Sequence, residues 1–166
     1  MRIRPEASQD RGAIENVNIA AFAGRPYSRQ TEHLIVNALR ADHALTVSLV
    51  AEADGNVVGH IAFSPVKIDG RDSTWSLLGP VGVLPAYQRR GIGQALVRQG
   101  LKAIKSLGAD GCILVGDPAY YSRFGFTQAK ELVFEGVPPE YCMCLPIRGP
   151  SPRGAVKCHP AFSVTA

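Results

Sequence analysis

No stretch of this chain is apolar for long enough to cross a membrane: its uncharged runs are strand-length, far short of the ~20 residues a spanning helix needs. The opening MRIRPEASQD has no apolar core and does not read as a secretory leader. Cysteine is scarce, four in 166 residues, which without a leader points to reduced thiols in a cytoplasm rather than a disulfide scaffold. No Gly-Lys-Ser/Thr occurs, so a P-loop is excluded. There is no run of five like charges and no basic stripe interleaved with aromatics, which argues against a nucleic-acid partner. Repeats and low-complexity tracts are also missing.

What is present is enough for one sizeable core. The chain is 46% hydrophobic, and its formal net charge of +4 suits a small anionic ligand. Residues 2–5 read as a short strand closed by Pro5. An amphipathic helix follows from about Ser8 to Phe22, ended by Gly24-Arg25-Pro26. A second, capped by Ser28 or Thr31, carries Leu34, Ile35, Ala38 and Leu39 at helical spacing. The period then shortens. Leu45–Ala53 and Val57–Val66 flank Asp54-Gly55-Asn56 as a hairpin, and Thr74–Leu84 forms a further strand. A third helix places Ile92, Ala95, Leu96, Gln99, Ala103, Ile104 and Leu107 on one face before Gly108. Cys112–Val115 is a buried strand, Asp117-Pro118 opens a short helix, and strand-like pieces lie near 126–133 and 141–147. The order is a mixed α/β domain over residues 1–148, with an unassigned tail over 149–166.

The densest chemistry is Gln88-Arg89-Arg90-Gly91-Ile92-Gly93, where a strand gives way to a helix. A helix N-terminus offers unpaired N–H groups and the positive end of the macrodipole, and glycines let those amides approach a phosphate closely. A dinucleotide fingerprint would need a third glycine or alanine where Leu96 stands, although Asp110 lies near the required acid position.

The segment resembles motif A of the GCN5-related N-acetyltransferase (GNAT) superfamily, Gln/Arg-x-x-Gly-x-Gly/Ala, with Gln88, Gly91 and Gly93 matching. Val81-Gly82-Val83-x-Pro85 resembles that family's fourth strand, and Tyr121 to Phe126 its Tyr-x-x-x-Gly-Phe motif. The resemblance implies a GNAT-like acyl-CoA N-acyltransferase fold, an α+β mixed and mostly antiparallel sheet of about seven strands with about four helices. It implies acetyl-CoA as co-substrate, with no metal, and acetyl transfer to a primary amine on a small molecule, peptide or protein. The loop amides of Arg89, Arg90, Gly91, Ile92, Gly93 and Gln94 would hold the pyrophosphate. Val81, Gly82 and Val83 would lie along the pantetheine arm, with the Val83 N–H polarising the thioester carbonyl. Tyr121 would protonate the leaving thiolate, with Tyr120 beside it at the cofactor. The family also allows a homodimer.

A general base is open between Glu32, His60 and water. Cys142, Cys144 and Cys158-His159 could be drawn as a zinc set, but Cys142 and Cys144 share one strand face and suit a core. A non-catalytic acyl-CoA-binding module on the same fold is the alternative function, and turnover separates the two.

Overall fold

The computed structural model describes residues 1–165. Nine strands form its sheet, in the order β1-β2-β3-β4-β5-β8-β6, with β9 beside β3 and β7 beside β9. These are β1 (Arg2–Pro5), β2 (Val47–Ala53), β3 (Asn56–Ile68), β4 (Arg71–Val83), β5 (Gly111–Val115), β6 (Thr127–Gln128), β7 (Leu132–Val133), β8 (Cys142–Pro146) and β9 (Gly154–Cys158). The helices are α1 (Arg11–Phe22), α2 (Glu32–Ala41), α3 (Ile92–Ser106) and α4 (Pro118–Tyr121). All main pairings are antiparallel except β4 with β5, which are linked through α3. A parallel neighbour needs a long crossover, and the helix supplies it.

Helix α3 packs its Ile92, Leu96, Val97 and Ile104 face onto one side of the sheet, over Leu49, Ile61, Phe63, Cys112 and Leu114. Each such side chain, fully buried, contributes about 1.5–3 kcal/mol. Helices α1 and α2 lie on the other side, with Ile14, Val36, Val50 and Ala62 buried between them and the strands. Period-2 alternation in β3 and period-3.6 spacing in α3 therefore meet in one core.

Three differences from the sequence reading have physical causes. Gln99 and Leu107 share the helical period but not the contact: both are exposed, and Leu107, 65% exposed, is the C-cap just past the last helical residue. The N-terminal helix starts later than Ser8: Ser8–Asp10 is a 3-10 turn held by the Asp10 carboxylate, which accepts the Ala7 N–H at 2.7 Å and faces Arg4. The tail, unassigned from the sequence, supplies a strand within its described residues 149–165. Val156 to Cys158 pair with Ile68 to Val66 of β3, and Val156 and Cys158 join Trp75, Leu77, Ile113, Leu132, Cys142 and Cys144 in a second apolar cluster. The three cysteines are packing groups there, and burial pushes the Cys158 thiol up to about 12.

Candidate functional site

Strands β4 and β5 pair only over Trp75–Leu77 with Gly111–Ile113. Past that point the β3–β4 register slips, so that Ile61 meets Val81 while Phe63 meets Leu78. Four residues of β4 thus oppose three of β3, a bulge that turns the end of β4 away from β5. The two strands splay, and Val81–Val83 keep β3 on one side with no strand on the other among the described residues. The Leu84 N–H donates to the Val58 carbonyl at 2.8 Å. By strand alternation Gly82 faces β3 as well, while the Val81 and Val83 amides point into the opening.

The predicted phosphate loop lies at the mouth of this cleft. Arg89 and Gly91 both have left-handed backbones, φ 62° and 82°. Only glycine takes that conformation without a Cβ penalty, which explains position 91. The Ala95 N–H is the first to bond back into α3, to the Gly91 carbonyl at 3.0 Å. The amides of Ile92, Gly93 and Gln94 are therefore free to point outward. The Ile92 side chain is buried in the core, so only its backbone is available. Gln88 does something the motif alone did not reveal: its Nε2 donates to the Val83 carbonyl at 2.9 Å, tying the loop to the strand end. Arg89 and Arg90 are exposed, the latter over the Tyr87 ring at 5.1 Å.

Helix α4 supplies the opposite wall. The Asp117 carboxylate accepts the Ala119 N–H at 2.9 Å and Pro118 sits in the first turn, a cap that sets the direction of both tyrosines. The Tyr120 hydroxyl lies 3.4 Å from the point a Cβ on Gly93 would occupy, and a Val83 methyl 3.8 Å from the same point. Tyr120 therefore faces the loop and strand end together. Tyr121 takes the other side, its ring over Gly116, where a Cβ would come within 2.5 Å of it. It meets Tyr120 and Phe126 edge-on, at 4.9 and 6.1 Å. Burial, then neighbouring Tyr120 and Tyr27, raises the Tyr121 phenol well above its ordinary value, so it holds its proton at any working pH.

Both base candidates are already hydrogen-bonded within the chain. His60 is fully buried on the α1 side, with Nδ1 3.2 Å from Asn18 Nδ2 and Nε2 2.8 Å from Ser48 Oγ. Burial lowers its pKa to about 4, so it is neutral and satisfied. Both Glu32 oxygens lie 2.7–2.8 Å from the Ser28 hydroxyl, closing the α1–α2 loop. Leu96 is buried in the core, and Asp110 receives the Thr74 hydroxyl and caps a turn through its carbonyl, so neither serves a dinucleotide. No cluster of three or more metal-ligating side chains exists among the described residues.

A sheet opened between two parallel strands, with a glycine loop and helix start at its mouth, is the layout of the acyl-CoA N-acyltransferase fold. A family model described as an acetyltransferase (GNAT) domain matches residues 44–128. A GNAT family acetyltransferase from Brucella melitensis, solved with acetyl-CoA, is 51% identical over 97% of each chain, with a TM-score of 0.87. The Escherichia coli N-acetyltransferase YhbS, solved with CoA, superposes with a TM-score of 0.89 at 31% identity, covering 99% of this chain and 93% of that one. In a sequence comparison the uncharacterized N-acetyltransferase YhbS of Escherichia coli K12 is 39% identical over 117 residues, 70% of each protein. The chain belongs to the GNAT acetyltransferase family.

Proposed function

We propose that this protein transfers the acetyl group of acetyl-CoA to a primary amine by direct attack in a ternary complex. The observation that carries this is the open edge of β4 at Val81–Val83, running straight into the left-handed loop at Arg89–Gly91. The pantetheine arm adds to that edge as a strand would, bonding the Val81 and Val83 amides. The pyrophosphate meets the amides from Arg89 to Gln94, with backbone supplying most contacts and the two arginines adding charge. The acetyl-CoA and CoA held by the two solved relatives support this reading.

The amine nitrogen attacks the acetyl carbon, and negative charge develops on the thioester oxygen. The Val83 N–H, fixed by β3 pairing and the Gln88 tie, stabilises that charge. The carbon–sulfur bond then breaks, the thiolate takes the Tyr121 proton, and the amide product forms. The surplus amine proton passes to water, and solvent returns a proton to the Tyr121 phenolate; His60, buried and hydrogen-bonded through both ring nitrogens, is not placed to take it. Tyr120, against Gly93 and Val83, packs along the cofactor. Phe22 and Tyr27 on the α1–α2 side favour a primary amine with an apolar flank, whether small molecule or peptide. We place the reaction in the cytoplasm, where the four unpaired cysteines stay reduced, and expect a homodimer, which light scattering checks.

Thiol release from acetyl-CoA across primary amines, amino acids and peptides tests the proposal. Turnover with at least one amine supports transfer. Tight CoA binding without turnover would make the protein a binding module instead.

A further inference from the structure

Away from the cofactor cleft, seven residues tie both helices of one layer to β2, β3 and the end of β1 through a run of hydrogen bonds that starts and ends on α1. On α1, Glu15 Oε2 accepts from Asn37 Nδ2 of α2 at 2.6 Å. Asn37 Oδ1 accepts from Arg40 Nη1 at 2.9 Å, and Arg40 grips the Glu6 carboxylate at 2.9 and 3.1 Å. Glu6, just past β1, donates its backbone N–H to the Ser48 carbonyl of β2 at 3.0 Å. Ser48 Oγ meets His60 Nε2 of β3 at 2.8 Å, and His60 Nδ1 meets Asn18 Nδ2 at 3.2 Å, back on α1.

The network's polarity can be read from its donors. Asn18 Nδ2 also donates to the Ile14 carbonyl at 3.0 Å. Turning the amide over would set its oxygen against that carbonyl, so Nδ2 is the donor and His60 Nδ1 the acceptor. His60 Nε2 then carries the proton and gives it to Ser48. Burial pushes the Glu6 carboxyl up, but the Arg40 guanidinium bonded to it, with the nearby Ser48 hydroxyl, outweighs this and holds it below the usual value. Donation thus runs from Asn18 through His60 to Ser48. An amide ends the chain, so the network fixes geometry and moves no proton.

The network reaches the site at Gly82. A Cβ there would lie 2.9 Å from the Ala21 methyl, 3.5 Å from the Phe22 ring and 4.0 Å from Asn18 Oδ1. The last turns of α1 thus rest on the strand residue next to Val83. We propose that His60 is a positioning residue, the neutral link that holds α1 against Gly82 and thereby sets the acceptor side of the cleft. This rests on the acetyltransferase reading for what the cleft binds, but not for the network itself.

The test compares full-length His60→Leu, His60→Gln and Ser48→Ala, the last removing only one hydroxyl should the leucine variant not fold. Amide hydrogen exchange over Val17–Ala21 is read beside acetyl transfer to 2-phenylethylamine. His60→Leu and Ser48→Ala should exchange at least tenfold faster there. KM for the amine should rise at least fivefold, while kcat and KM for acetyl-CoA stay within twofold. His60→Gln, with one amide donor and one carbonyl acceptor, should restore both readouts. Exchange like wild type in both disrupted variants, or a glutamine variant no better than leucine, overturns the inference. A wild-type protein that releases no thiol with any amine defeats the acetyltransferase reading instead, while the exchange data still decide the network.

Discussion

The region proposed to seat the cofactor and the helical layer proposed to set the acceptor side are built by different means. The proposed cofactor side is mostly backbone: the open edge of Val81–Val83, the left-handed turn at Arg89–Gly91 and the first amides of α3. Its side-chain help comes from close by, as when Gln88 reaches Val83, five residues away. The proposed acceptor side is held by side chains far apart in sequence, Asn18 with His60 across 42 positions and Glu6 with Arg40 across 34. On the proposed reading, main-chain amides recognise what every acyl-CoA shares. A layer held by side chains can be changed to suit one amine without disturbing them.

The largest effect expected from breaking this contrast is at Gly91. Gly91→Val puts a β-branched residue at φ 82°, at a cost of about 1–3 kcal/mol, and its methyls fill space a phosphate would use. Acetyl-CoA affinity by calorimetry should fall at least a hundredfold, roughly 3 kcal/mol or more. Next is the pH dependence of stability at the proposed acceptor side. His60 titrates near 6.5 unfolded and near 4 folded. Its contribution is complete above pH 6.5 and is lost as pH falls from 6.5 through 4, where the unfolded chain binds the extra proton. The full loss is about 3 kcal/mol, and urea midpoints of His60→Gln should lack that slope between pH 6.5 and 5.

Tyr121→Phe comes third. It should lower kcat roughly tenfold to a hundredfold and leave acetyl-CoA affinity within twofold. Tyr120→Phe, whose hydroxyl faces Gly93, should reverse that pattern, changing affinity more than kcat. The smallest effect belongs to Arg89→Ala and Arg90→Ala. Both groups are exposed, so each should weaken CoA binding only a few-fold, about 1 kcal/mol or less, and the loss should shrink as salt is added.

The same contrast explains what could be read in the sequence. The family signature was legible because it is local: Gln88, Gly91 and Gly93 lie within six residues at the start of α3, and Tyr121 follows a capped helix start. Strands β2 to β5 were legible as apolar, β-branched runs between turn residues, and helix α3 from its 3.6-residue spacing. The hydrogen-bonded network was not. Asn18 sits on the same helical face as Ile14 and Val17, and a polar residue there is indistinguishable from a solvated one until His60 is brought against it. Strand β9 was missed for a related reason. Five residues between prolines and glycines become a strand only when β3, some ninety positions earlier in register, offers Val66–Ile68 as partners. Leu107 erred the other way, since it keeps the helical period but stands just past the last helical residue.

Amide exchange along β4 tests the central claim most directly. Added acetyl-CoA should slow the Val81 and Val83 amides at least tenfold and leave Gly82, already paired with β3, unchanged. Uniform slowing of all three, or no change at Val81 and Val83 with the cofactor bound, would contradict strand-like seating of acetyl-CoA on this edge.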